Sequence, residues 1–240
     1  MLGVLGSLGF AAVDAPPADD LGTLAERFLP ADGAAATLTL STGEQWIVET
    51  AISVGTSAAL QQPGVPGEQL LGSLLEEGGD AAAMGARFVR QLLTDASGSL
   101  PQITELSTIG ADGLRLRTVT GTPNGFVYTP GVLVLPATVH PGSTWRSSGE
   151  ALPQQLLAYR HEASAAAAPA SAGDGCLVVD STIVYTDPQA ADAELLRVLE
   201  TSTWCPGLGV VASEATVETP TAATGSTPDA STSEIGRAHV

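Results

Sequence analysis

Hydrophobic and polar residues alternate with a period of two over most of this chain, and that period predicts strands rather than helices. From Ala36 the run TLTLS alternates, Thr42-Gly43 marks a turn, and QWIVETAIS returns with Trp46, Val48 and Ala51, giving a first hairpin. Further strands are expected at Ala86–Thr94, Ile103–Ile109, Leu114–Thr120 and Phe126–Leu135. Each ends at a cluster such as Ser97-Gly98 or Asp112-Gly113, so the segments read as a meander. Pro141-Gly142 introduces Thr144 and Trp145. Two more strands, Gln154–Ala163 and Cys176–Thr186, flank ASAAAAPASA, which Pro169 and its Ser and Gly neighbours mark as a flexible hairpin loop. A helical period shows only at Leu21–Phe28 and at Glu68–Glu77 (EQLLGSLLEE), each a short helix.

The two cysteines fix a register. If Cys176–Thr186 and Leu195–Cys205 pair antiparallel with the cysteines facing each other, Asp187–Glu194 is left as the loop. Leu177 then faces Trp204, Ile183 faces Val198 and Tyr185 faces Leu196 on one side, with Asp180 opposite Thr201 and Val184 opposite Arg197 on the other. The apolar residues fall on one face, as a core-facing ribbon requires. Facing strand residues have Cα atoms about 4.5 or 5.5 Å apart, within the span a disulfide bridges. A Cys176–Cys205 disulfide is therefore expected, and with it an oxidising, extracytoplasmic compartment. Pro206-Gly207 suits the centre of a turn into a last strand, LGVVASEATVE.

These elements imply a mainly β fold, α+β only in minor degree. The expected form is an antiparallel meander sheet or half-barrel of about 8–10 strands with one or two short helices. Residues 36–218 form its single domain. Residues 1–15 (MLGVLGSLGFAAV, then Asp-Ala) read as the remnant of a signal or transmembrane segment without its basic start, and 16–35 as a spacer with a short helix. Residues 219–233 are a Thr/Pro/Ser-rich linker. The final EIGRAHV, 234–240, is what a widely used short-read sequencing adapter encodes. It reads as a scar, with the natural frame interrupted near Ser233.

Charge narrows the function classes. Nine basic residues stand against 26 acidic ones, a net charge of −17 with no lysine, so the basic footprint that tracks phosphates is missing and no nucleic-acid partner is expected. Hydrophobic residues reach 44% but aromatics only 4%, so the core rests on Val, Leu, Ile and Ala.

No catalytic, cofactor or metal residue emerges. Gly207-x-Gly209-x-x-Ala212 has the letters of a dinucleotide fingerprint but is followed by a strand pattern where a helix is needed. His161-Glu162 opens like a zinc-protease motif, yet alanine stands at position 165 where the second histidine belongs. There is no Gly-x-Ser-x-Gly elbow. His140, Asp112 and Asp174 sit in turns that explain them. Glu76, Glu77 and Asp80 lack the alternating ligand pattern of a calcium loop.

The segments FVYTPGVLVLPATVHPGSTW, GCLVVDSTIVY and TSTWCPGLGVVASE, within Phe126–Glu214, resemble uncharacterised membrane-anchored or secreted extracytoplasmic β-rich domains of high-GC bacteria. More distantly they resemble lipoprotein-carrier-like half-barrels. The resemblance implies a concave sheet able to hold lipid, and it transfers no ligand residue. The expected function is a non-enzymatic envelope domain that binds a lipophilic small molecule or an envelope protein, touching the membrane only through its truncated N-terminal anchor. The alternatives are a structural spacer presenting a missing C-terminal module and the non-catalytic part of an enzyme whose active domain is missing.

Overall fold

The computed structural model describes residues 25–39, 45–54, 87–99, 102–121, 125–152, 156–190 and 193–220. The expected N-terminal segment, the Thr42-Gly43 turn, the Glu68–Glu77 helix, the Glu76/Glu77/Asp80 cluster and the terminal heptapeptide lie outside these residues, as does nearly all of the linker.

The described residues form one antiparallel sheet of eleven strands in sequence order. They are β1 (Ala35–Thr39), β2 (Gln45–Val54), β3 (Arg87–Asp95), β4 (Ile103–Gly110), β5 (Gly113–Thr120), β6 (Phe126–Pro136), β7 (Thr144–Leu152), β8 (Leu157–Ala167), β9 (Leu177–Asp187), β10 (Ala193–Cys205) and β11 (Gly209–Glu218). The mainly β meander is thus as expected, with one strand more than the sequence suggested. Strand twist rolls the sheet into a half-barrel. Val89 of β3, Val179 of β9, Trp204 of β10 and Val210 of β11 belong to one buried cluster, so strands far apart in the order share a lumen.

The ribbon β9–β10 has the register that the cysteines dictate: Leu177 opposes Trp204, Asp180 opposes Thr201, Ile183 opposes Val198 and Tyr185 opposes Leu196. Cys176 and Cys205, one step beyond the last ladder pair, are disulfide-bonded with Cα atoms 4.2 Å apart. The strands run further than expected, because a bulge between Glu194 and Leu196 lets pairing continue to Asp187 opposite Ala193. In the β10–β11 turn, Leu208 N–H donates to Cys205 O across Pro206 and Gly207, whose φ of 70° is the left-handed conformation that glycine tolerates.

Three expectations change. Residues 25–34, read as the end of a spacer, are built into the domain. A 3-10 turn, Ala25–Phe28, buries Ala25 and Phe28, and with them Leu29, at one end of the lumen against Leu135, Trp145 and Trp204. Gly207 N–H donates to Arg27 O at 2.7 Å and Arg87 pairs with Glu26 at 2.7 Å, tying this plug to both flanks of the roll.

The alanine-rich stretch is only partly a loop, since β8 continues to Ala167 in ladder with β9. Ala163 and Ala165 point into the core, and their small side chains leave room there for Trp145 and Trp204. The third change is β7 itself, TWRSSGEAL, whose apolar positions are too few to show a period.

Candidate functional site

The inward-facing positions divide into two apolar clusters. One lies at the plugged, disulfide end and includes Leu29, Leu114, Leu135, Trp145, Leu177 and Trp204. The other, at the opposite end, is built around Tyr128, Tyr159 and Tyr185, with Phe126 stacked on Tyr185 at a ring-centroid distance of 5.2 Å and Tyr128 edge-on to Tyr159 at 5.6 Å. The Tyr128 and Tyr185 hydroxyls hydrogen-bond to each other at 2.8 Å, and Tyr159 OH donates to Pro130 O at 2.6 Å.

Between the clusters runs a polar belt. Gln91 faces Glu105 directly across β3–β4, Ser147 faces His161 across β7–β8, and Ser181 faces Glu200 across β9–β10. With Ser107 and Ser202, the residues Gln91, Glu105, His161, Ser181 and Glu200 supply the polar part of the lining of a chamber of about 70 Å³ inside the lumen, whose remaining lining is apolar and includes Val89, Leu114, Val132, Val179 and Trp204. Glu105, His161 and Ser202 are buried, and His161 is only 3% exposed.

How the belt is held follows from one break in the ladder. β6 and β7 pair at Val127–Thr129 opposite Leu152–Glu150 and no further, because Pro130 has no N–H to give. Two β7 side chains take over the backbone groups of Leu133. Leu133 N–H donates to Ser147 Oγ at 3.1 Å, and Trp145 Nε1–H donates to Leu133 O at 2.9 Å. Gly149 lies against the break, where a Cβ would sit 2.4 Å from Thr129 O. Ser147 Oγ also hydrogen-bonds His161 Nδ1, 3.3 Å away, with the donor set by the imidazole tautomer. Burial lowers the His161 pKa from 6.5 to about 4, so the imidazole is neutral at pH 7.

His161 and Glu162, adjacent in sequence, point to opposite sides, as neighbours on a strand do. His161 enters the lumen, whereas Glu162 faces solvent and pairs with Arg146 at 3.2 Å. The zinc-protease letters thus fall on a strand, where they cannot share a face. Among the described residues no group of three His, Cys, Asp or Glu side chains is placed to hold a metal ion. Gly207, Gly209 and Ala212 fall in an antiparallel hairpin, not a strand–helix turn. His140 is a turn residue: its N–H donates to Ser143 Oγ at 3.0 Å, and its Nδ1 lies 3.0 Å from the same oxygen. Asp112 pairs with Arg115 at 2.6 Å in the β4–β5 turn.

Sequence reasoning missed the belt, because its members sit singly on separate strands. The available signal was a polar residue at the inward phase in mid-strand. Ser181 opposite Glu200 already follows from the cysteine register.

On the outer face, β7 to β11 carry a shallow groove of about 880 Å³, lined by Thr144, Arg146, Glu162, Asp180, Thr201 and Glu214 among others. Thr201 donates to Asp180 within it at 2.6 Å. The disulfide suits an oxidising compartment. Among the described residues no helix is long and apolar enough to cross a membrane. No family model, curated protein or solved structure matches the chain.

Proposed function

We propose that the chain is a non-enzymatic domain working outside the cytoplasm, in the cell envelope, and that it acts by presenting a rigid outer surface to a protein partner. The observation that carries this reading is the size of the lumen. Its chamber measures about 70 Å³, whereas pockets that enclose a drug-sized or larger ligand hold roughly 300–1,000 Å³. Tyr128, Tyr159 and Tyr185 are themselves buried within the second core cluster. The lumen thus supports a surface-binding role over lipid carriage, and the disulfide across β9–β10 supports an oxidising location. The polar groove over β7–β11 is the face we assign to the partner.

Native mass spectrometry of the protein released from membranes under mild conditions, followed by solvent extraction, tests the reading. The bare polypeptide mass is expected. A co-purifying lipid, present at near one per chain and removed by extraction, would overturn it in favour of a lipophilic ligand. Thiol labelling of the exported protein without reductant checks the location, where labelling of both cysteines would count against it.

A further inference from the structure

The geometry points to the kind of partner: an extended, basic segment of another protein that joins the sheet as a further strand along the free edge of β11. The inference rests on the surface role proposed above and deepens it, since Glu214 and Thr216 of β11 form one margin of the groove.

The sheet does not close on itself. β11 has only β10 beside it and β1 only β2, so each end of the strand order is an edge. An antiparallel strand turns its N–H and C=O groups alternately to its two sides, so an edge strand presents a row of them to whatever comes next. β1 is protected by its shortness, five residues. β11 has ten. Its start is held under the plug, where a Cβ on Gly209 would sit 3.0 Å from Pro30 Cγ. Beyond the bulge opposite Thr203 and Trp204, Ala212–Glu218 pair with β10 without irregularity. Among the described residues no backbone hydrogen bond reaches this stretch from any other element. It also has no proline, lysine or inward-pointing charge, the devices by which proteins blunt an edge.

Charge identifies the occupant. Glu214 stands opposite Thr201, and Thr201 opposite Asp180, in one row across the outer face. Neither carboxylate has an ion-pair partner among the described residues, and the cation of the groove, Arg146, is paired with Glu162. Glu218, on the same face as Glu214, opposes Arg197. Both glutamates are exposed, whereas Ala215, on the other face, is buried and Val217 half-buried. Directly opposed side chains on neighbouring strands attract when their charges differ and repel when they match. The segment that fits is therefore basic at the two positions facing Glu214 and Glu218, and apolar at the two between them that face Ala215 and Val217 and extend the lumen wall. The net charge of −17 draws basic segments to the surface. A second copy fits worse: with two β11 strands antiparallel about Thr216, Glu214 of each copy faces Glu218 of the other.

The test uses the intact, disulfide-bonded chain labelled with ¹⁵N and, as probe, the acetylated and amidated peptide Thr-Arg-Val-Thr-Val-Arg-Thr, titrated to millimolar concentration. Saturable amide shifts centred on β11, slowed solvent exchange at alternate β11 amides and cross-strand contacts between peptide and β11 protons are expected. Glu214→Lys should weaken binding about tenfold, because an attractive pair becomes a repulsive one. The peptide with glutamate in place of its second arginine should then prefer the variant to the wild type, a reversal that altered folding alone would not produce. Absence of saturable shifts, or equal affinity of the glutamate peptide for both proteins, would overturn the inference. Sedimentation as a dimer with the β11 amides already protected would overturn it in favour of a second copy. Shifts on the outer face of β7–β9 without β11 would refute the added strand and spare the surface role, which a co-purifying lipid would strike instead.

Discussion

His161 makes the pH dependence of stability a direct measure of the polar belt. In the unfolded chain its imidazole titrates at the ordinary 6.5; in the folded protein burial holds it at about 4. The folded state therefore binds the proton less readily than the unfolded state, so this group's contribution is fully present above about pH 6.5. It is lost as pH falls from there towards 4. The gap is 6.5 − 4 = 2.5, which at about 1.4 kcal/mol per pH unit sets a limit of roughly 3 kcal/mol in strong acid and gives about 2 kcal/mol by pH 5. The window from pH 7 to 5 is well chosen, because ordinary carboxylates titrate below it, at about 4.

The perturbation is His161→Gln, which removes the titrating group and leaves an amide able to donate into the chamber. Urea melts at pH 7, 6 and 5 on both proteins give the comparison, and the remaining histidines, common to both, cancel. Between pH 7 and 5 the wild type should lose about 2 kcal/mol more than the variant. If the two stability curves run parallel, or the His161 resonances titrate near 6.5, the imidazole is not sequestered and the account of the belt fails.

Three further outcomes follow from the packing. Replacing both cysteines by serine should lower stability by about 3–4 kcal/mol on the chain-entropy model for a crosslink of this span; an unchanged urea midpoint would refute the disulfide's role. Tyr185→Phe leaves the Tyr128 hydroxyl without its 2.8 Å partner in the second cluster. It should cost about 1–2 kcal/mol, with a coupling of similar size to Tyr128→Phe in a double-mutant cycle. Gly149→Ala would place a Cβ 2.4 Å from Thr129 O and 2.7 Å from Pro130 Cδ. The backbone there must move, so a loss of about 1–3 kcal/mol is expected in thermal or urea unfolding, and a neutral substitution would show the β6–β7 break to be looser than described.

Legibility in the sequence followed the constraints. The strands from β3 to β6 were readable to within a residue or two because glycine- and aspartate-rich turns punctuate a clear two-residue period. The ribbon β9–β10 was readable to its facing pairs, because two cysteines one step outside the ladder admit a single register that also puts the apolar residues on one face. β7 was not legible: of its inward positions only Trp145 and Ala151 are apolar, while Ser147 and Gly149 serve the break at Pro130 rather than the core. The second half of β8 looked like a loop because alanine and serine have low strand propensity. Tertiary context overrides it there, since small inward residues are what the two tryptophans need. The plug at Ala25–Phe28 was legible as a short helix but not as core, because burial of so short a segment depends on partners more than a hundred residues away.

The belt and the ladder break are one feature. A proline in a central strand ordinarily leaves its neighbours' amides and carbonyls without partners, a defect tolerated at edges and bulges. Here the defect lies in mid-sheet and is repaired from β7 by Trp145 and Ser147. The repair commits an inward position, that of Ser147, to a hydroxyl, and the residue facing it across β7–β8 is His161. An apolar residue at 161 would have removed the Ser147–His161 hydrogen bond, at about the cost of a lost buried hydrogen bond. His161 lines the lumen chamber together with Ser181, Ser202, Glu105 and Glu200, among apolar residues such as Val89, Val179 and Trp204. Polarity thus runs from the break at Pro130 through Ser147 to His161 by hydrogen bonds. It sets polar side chains among the apolar residues that line the lumen.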